Sequence, residues 1–120
     1  AITLFDPEAQ RADALAEAVR TFYPKCEIAS GTPTAAGHDV IVNASPVGMR
    51  PGDGMPAPLG PLDPACLVVD IITKPEITPL LAAARAAGCQ TINGLTMLAA
   101  QADTLLEFFG VEQYGRSAAN

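Results

Sequence analysis

The chain has 120 residues, which suits a single domain. Its formal net charge is −6, so it has no basic stripe to neutralise phosphates, and neither a nucleic acid nor an anionic membrane is an expected partner. Hydrophobic residues make up 49% but aromatics only 5%; the core must therefore be built from Ala, Val, Leu and Ile, as in compact α/β sheets.

Ile2 to Phe5 reads as a strand. Asp6-Pro7 opens a helix, with Asp as the N-cap and Pro at the first helical position. Ala12, Leu15, Val19 and Phe22 recur at spacings of three and four and make one apolar face. Pro24 ends the helix, and Cys26 to Ala29 is a short second strand. Gly31 to Gly37 forms a loop. Val40-Ile-Val42 is a β-branched run expected to be a parallel strand covered on both faces. A long Pro- and Gly-dense segment, Pro46 to Pro64, follows it; connections of that length often carry function.

Cys66 to Asp70 is another buried strand. Thr78-Pro79 caps a helix that runs to Ala87, and Gly88 stands at its C-terminal cap. Cys89 to Ile92 is the last strand, and a helix from about Leu95 to Phe109 ends at Gly110. Residues 1–110 are thus read as a portion of a dinucleotide-binding domain, and residues 111–120 as a polar tail that frays. The alternation predicts an α/β fold, Rossmann-like and doubly wound, with a mainly parallel sheet.

Ligands of open α/β sheets bind outside the carboxyl ends of the strands. Those ends carry Asp6, then Asn43-Ala44-Ser45, then Asp70-Ile-Ile-Thr73, joined by Asn93-Gly94 at the start of the last helix. Small residues at 44, 45 and 94 would let backbone approach a ribose or a flat ring. A carboxylate ending the second strand of a dinucleotide fold hydrogen-bonds the adenosine ribose hydroxyls. It also repels a 2′-phosphate by about 4 kcal/mol per unit charge at ~4 Å and an effective dielectric of ~20. Asp6 thus favours NAD over NADP if Ile2 to Phe5 is that strand. Met97 and Gln101 lie one turn apart on one helix face, where Met97 could pack on a ring and Gln101 could bind a polar substrate.

No G-x-G-x-x-G turn occurs, and Gly48-Met-Arg-Pro-Gly52 has the wrong spacing for one. If Ile2 to Phe5 is strand 2 of the order 3-2-1-4-5-6, the first βα unit is absent from these residues, and the chain is expected to be a C-terminal portion of a longer polypeptide. His38, the single histidine, precedes a strand on the edge away from the crevice and is read as a surface residue. Cys26, Cys66 and Cys89 lie far apart without metal-ligand spacing, so no metal site is expected. Three reduced, packed thiols suit a cytoplasmic location. No apolar run approaches the ~20 residues that span a bilayer.

Three blocks resemble the shikimate and quinate dehydrogenases. Asp39-Val-Ile-Val-Asn-Ala-Ser-Pro-Val-Gly-Met49 is similar to their N-A-T-x-x-G-M segment. Val69-Asp-Ile-Ile-Thr-Lys-Pro75 with Thr78-Pro-Leu-Leu81 is similar to V-D-x-x-Y-x-P followed by T-P-L-L. Asn93-Gly-Leu-Thr-Met-Leu-Ala-Ala-Gln101 is similar to D-G-x-x-M-L-x-x-Q. The resemblance implies NAD- or NADP-dependent hydride transfer at C3 of shikimate or a similar polyol acid. Asn43, Ala44 and Ser45 would face the cofactor ribose, and Ile71, Gly94 and Met97 the nicotinamide. Gln101 and Thr73 would meet the substrate. The family's catalytic Lys and Asp belong to an N-terminal substrate domain, so no catalytic residue is assigned here and that domain is the expected partner, with a homodimer as an admissible assembly. Thr73 stands where the family usually has Tyr, which leaves the substrate open. Phe5-Asp6-Pro7 stands where NADP-specific members carry Asn-Arg-Thr. The alternatives are a non-catalytic module that binds a dinucleotide or a partner, and a paralogous dehydrogenase acting on a different polyol acid.

Overall fold

A computed structural model describes residues 1–110; the tail expected at residues 111–120 lies outside them. The chain divides into two compact units, one formed by Ala1–Ala35 with Ala57–Gly60, the other by Ala36–Pro56 with the residues from Pro61 onward.

The first unit is a β-α-β crossover. Strand β1 (Ile2–Leu4) leads into helix α1 (Ala9–Phe22) and then strand β2 (Ile28–Ser30). The strands are parallel, with Ile2 opposite Ile28 and Leu4 opposite Ser30. Two expectations are corrected here. Asp6 does not cap α1: its Oδ1 accepts the Glu8 amide at 2.8 Å, and the N-cap is Glu8. This Asx-type turn takes up a backbone donor before the helix begins and moves its start past Pro7. The buried line of α1 is Ala12 and Ala16, while Leu15 and Phe22 are 53% and 78% exposed. Alanine lets the helix lie close to a narrow two-stranded sheet, which leaves the bulkier pair on its flank. Arg20 Nη1 donates to the carbonyl of Ile28 at 2.9 Å, and Ser30 Oγ donates to Asp13. The Ala35 amide donates to the carbonyl of Leu59, which ties in the short second segment.

In the second unit strands β3 (Val40–Asn43), β4 (Leu67–Asp70) and β5 (Gln90–Ile92) form one parallel sheet in that order. Val40 pairs with Leu67, Asn43 with Asp70, and Leu67 with Gln90. Helix α2 (Pro79–Ala86) packs on β4 and β5; its Leu80, Leu81 and Ala84 are buried, as are Val68, Ile72, Cys66 and Cys89. Its ends are as the sequence predicts. Thr78 Oγ1 accepts the Leu81 amide at 3.3 Å, and Pro79 opens the helix. Past the other end Gly88, at φ +85°, closes a Schellman motif, with the Cys89 amide on the carbonyl of Ala84 and the Gly88 amide on that of Arg85.

Strand β3 is not covered on both faces. Val40 and Val42 are 50% and 57% exposed, whereas Asn43 is buried. Side chains alternate along a strand, so the face shared by Val40 and Val42 is open among the described residues. The last helix, α3 (Gly94–Phe108), buries only Gly94. The three cysteines are free: Cys66 and Cys89 stand just before β4 and β5, and Cys26 lies ahead of β2 rather than within it.

Candidate functional site

The site is built where the carboxyl ends of β3 and β4 meet the starts of α2 and α3. Asn43 and Asp70 end neighbouring strands in register, so their side chains leave the sheet side by side. Asn43 Nδ2 donates to Asp70 Oδ1 at 3.2 Å and to the carbonyl of Val47 at 3.1 Å. Asn43 Oδ1 accepts from the Ser45 hydroxyl at 2.7 Å and from the Ser45 amide at 3.1 Å. Both donors and the carbonyl of this buried amide are therefore occupied by the chain itself.

Asp70 is fully buried and accepts three hydrogen bonds. Asn43 and the Ile72 amide, at 3.1 Å, share Oδ1; the Thr78 hydroxyl reaches Oδ2 at 2.6 Å. The carboxyl group thus joins the loop after β3, the loop after β4 and the N-cap of α2. Gly48, at φ +112°, lies over the same cluster; a Cβ there would stand 3.3 Å from Thr78 Cβ and 3.4 Å from Ile72 Cδ1. The turn is held on its outer side by Asp53, whose Oδ2 accepts the Gly48 and Arg50 amides at 2.9 and 3.0 Å. Those amide bonds, from Arg50 first and Gly48 next, hold the Asp53 carboxyl below its ordinary value of 3.8.

The start of α3 adjoins this cluster. The Gly94 amide donates to the carbonyl of Ile72 at 3.2 Å. A Cβ on Gly94 would lie 2.3 Å from the oxygen of Ile71 and 2.5 Å from the carbonyl carbon of Ile72. Glycine is thus required for the helix to meet the strand end. Asn93 caps the helix by accepting the Thr96 amide at 2.8 Å and donates to Glu76 at 3.3 Å.

The fold gathers Asn43, Ser45, Ile71 and Gly94. Ala44, Ile71 and Thr73 are exposed on this rim, Ser45 is half-buried, and half-buried Met97 and exposed Gln101 follow on α3. Asp6 belongs to the other unit, half-buried at the end of β1. The sequence places Asp70 at a strand end and Thr78 at a helix cap without giving either a role in the site, and it does not point to Asp53. A signal for the first two was present: an Asp closing an apolar strand, eight residues before a Thr-Pro helix start. Among the described residues no three His, Cys, Asp or Glu side chains gather as metal ligands, and no helix is long and apolar enough to cross a membrane.

Parallel strands, with β1–β2 and β4–β5 joined through helices and loops at the carboxyl ends, define a Rossmann-like α/β dehydrogenase fold. The pairings within the units, β1 with β2 and β3-β4-β5, are the 2–3 and 4-5-6 neighbours of the order 3-2-1-4-5-6. No family model matches the chain. It is 39% identical over 117 residues to a shikimate dehydrogenase (NADP(+)) of Rhodospirillum rubrum, covering 92% of this chain and 41% of that protein. The corresponding enzyme of Ignicoccus hospitalis is 34% identical over 100 residues, 83% of this chain and 37% of its own length. Among solved structures, the ligand-free 5-ketofructose reductase of Gluconobacter sp. strain CHM43 matches with a TM-score of 0.80 at 27% identity, over 95% of this chain and 43% of that one. Quinate dehydrogenase from Corynebacterium glutamicum, in complex with NAD, matches with a TM-score of 0.74 at 32% identity, over 92% and 41%. The chain belongs to the shikimate/quinate dehydrogenase family. It spans about two fifths of the length of these curated relatives.

Proposed function

We propose that these residues form the cofactor-binding portion of an NAD(P)-dependent dehydrogenase acting on shikimate, quinate or a similar polyol acid in the cytoplasm. The observation that carries this reading is the buried Asn43–Asp70–Thr78 cluster at the carboxyl ends of β3 and β4, lying inside the segment that aligns with shikimate dehydrogenases. It holds a rim of small or apolar groups, Ala44, Ser45 and Ile71, whose chemistry suits a ribose and a flat ring. A bound nicotinamide would supply the hydride acceptor. Ala44 and Ser45 would lie along the ribose, Ile71 and Met97 would shield the ring from water, and Gln101 and Thr73 would orient the substrate hydroxyls. Proton transfer and the rest of the substrate pocket are assigned to other residues of a longer polypeptide. Asp6 would accept from the adenosine ribose and disfavour a 2′-phosphate.

Steady-state kinetics of the full polypeptide with shikimate and quinate, each with NAD and NADP, tests the reading. The expected result is turnover with a KM for NAD at least about tenfold below that for NADP. A preference for NADP, which the names of the curated relatives carry, removes the assignment of Asp6. Absence of turnover with all four pairs removes the activity. A second reading, reduction of a neutral ketose, is favoured by the match to the 5-ketofructose reductase and by Thr73 in place of the family Tyr; turnover of 5-ketofructose without shikimate or quinate would establish it.

A further inference from the structure

We propose that Asp70 is a positioning residue for the cofactor: its carboxyl group sets the shape of the wall formed by residues 44–48 and Ile71. The inference rests on the cofactor-binding reading above. Asp70 is fully buried, so it does not touch a ligand and acts through the groups it holds. Its three donors come from three separate segments, the Asn43 side chain, the Ile72 amide and the Thr78 hydroxyl. All three residues are themselves buried, so none can exchange its bond for one to bulk water.

The arrangement is directional. Asn43 passes the constraint to Ser45 and Val47, and Thr78, the N-cap of α2, passes it to the Leu81 amide and lies so near Gly48 that a Cβ added there would stand 3.3 Å from Thr78 Cβ. The Ile72 amide fixes the backbone immediately after Ile71. A fold needing only stability at this point would be served as well by an apolar cluster, since buried polar groups are expensive to desolvate. A satisfied polar network instead selects one arrangement of the loops it joins. Two carboxylate oxygens accept all three donors. An amide at position 70 offers a single acceptor oxygen and places an NH2 against the Thr78 hydroxyl, so one donor must turn away.

The test is the full polypeptide with Asp70→Asn, assayed with NAD or NADP and the best polyol substrate. The expected result is a rise of about tenfold in cofactor KM, with kcat and substrate KM changed by no more than about twofold. Thr78→Val should reproduce the rise and Thr78→Ser should restore the wild-type value; this pair decides the matter if Asp70→Asn fails to fold. A fall in kcat with both KM values unchanged is the signature of fewer folded molecules, and it overturns the proposal. Equal behaviour of Thr78→Ser and Thr78→Val overturns it too. An unmodified protein that turns over none of the substrates overturns the functional reading, and this proposal with it.

Discussion

Two residues show how tightly the site loops are specified. Gly94 has no room for a methyl group: its missing Cβ would sit 2.3 Å from the Ile71 oxygen, against backbone that cannot rotate aside. Gly94→Ala is therefore expected to lower stability by about 3 kcal/mol or more, as overpacking against a fixed neighbour does. Urea unfolding of the variant would show this as a reduced midpoint, and an unchanged midpoint would mean the contact relaxes freely. Asp53 gives a pH-dependent counterpart. Its folded-state pKa lies below the ordinary 3.8 because the Arg50 and Gly48 amides bind the charged form. The stabilisation is present above 3.8 and is lost as pH falls through the lower folded value. In NMR titrations the Gly48 and Arg50 amide shifts should move with a midpoint below 3.8, and Asp53→Asn should abolish that step. A midpoint at or above 3.8 would contradict the bonding seen here.

At the level of elements, the contrast is between β4 and α3. Strand β4 is paired on both sides and covered by α2, with Val68 and Asp70 fully buried. Helix α3 leaves Leu95, Leu98, Leu105, Leu106 and Phe108 exposed, although its own sequence is apolar enough to need cover. Most helical stability in proteins comes from packing of an apolar face, so α3 should open far more readily than β4. Native-state hydrogen exchange of this chain should find the Val68 and Val69 amides among the slowest and those of α3 beyond Leu98 among the fastest. Comparable protection across both would show that α3 is packed in solution.

Across the whole molecule, the element order was legible in the sequence because punctuation and periodicity agreed, as at Thr78-Pro79 and Gly88 around α2. The failures share a cause: sequence periodicity reports which residues are apolar, not which ones find a neighbour. Leu15, Phe22, Val40 and Val42 carry the right pattern and stay exposed. The rim residues Asn43 and Ser45 were legible as polar groups at a strand end. Their hydrogen bonding to one another was not, because the Asp70 that completes the cluster stands 27 positions beyond Asn43 and meets it only through strand register.

The close seat of Gly94 also makes α3 a lever. The helix meets the loop that follows β4 at its first residue and extends to Phe108, so the far end stands about 21 Å from that contact at 1.5 Å per residue. A tilt of roughly 10° there would carry Phe108 through about 4 Å and Gln101 through about 2 Å. For Gln101 that is the difference between reaching a hydroxyl and missing it. The aim of the side chain proposed to meet the substrate thus depends on the seating of a glycine seven residues away, whose clearance is set by a backbone carbonyl.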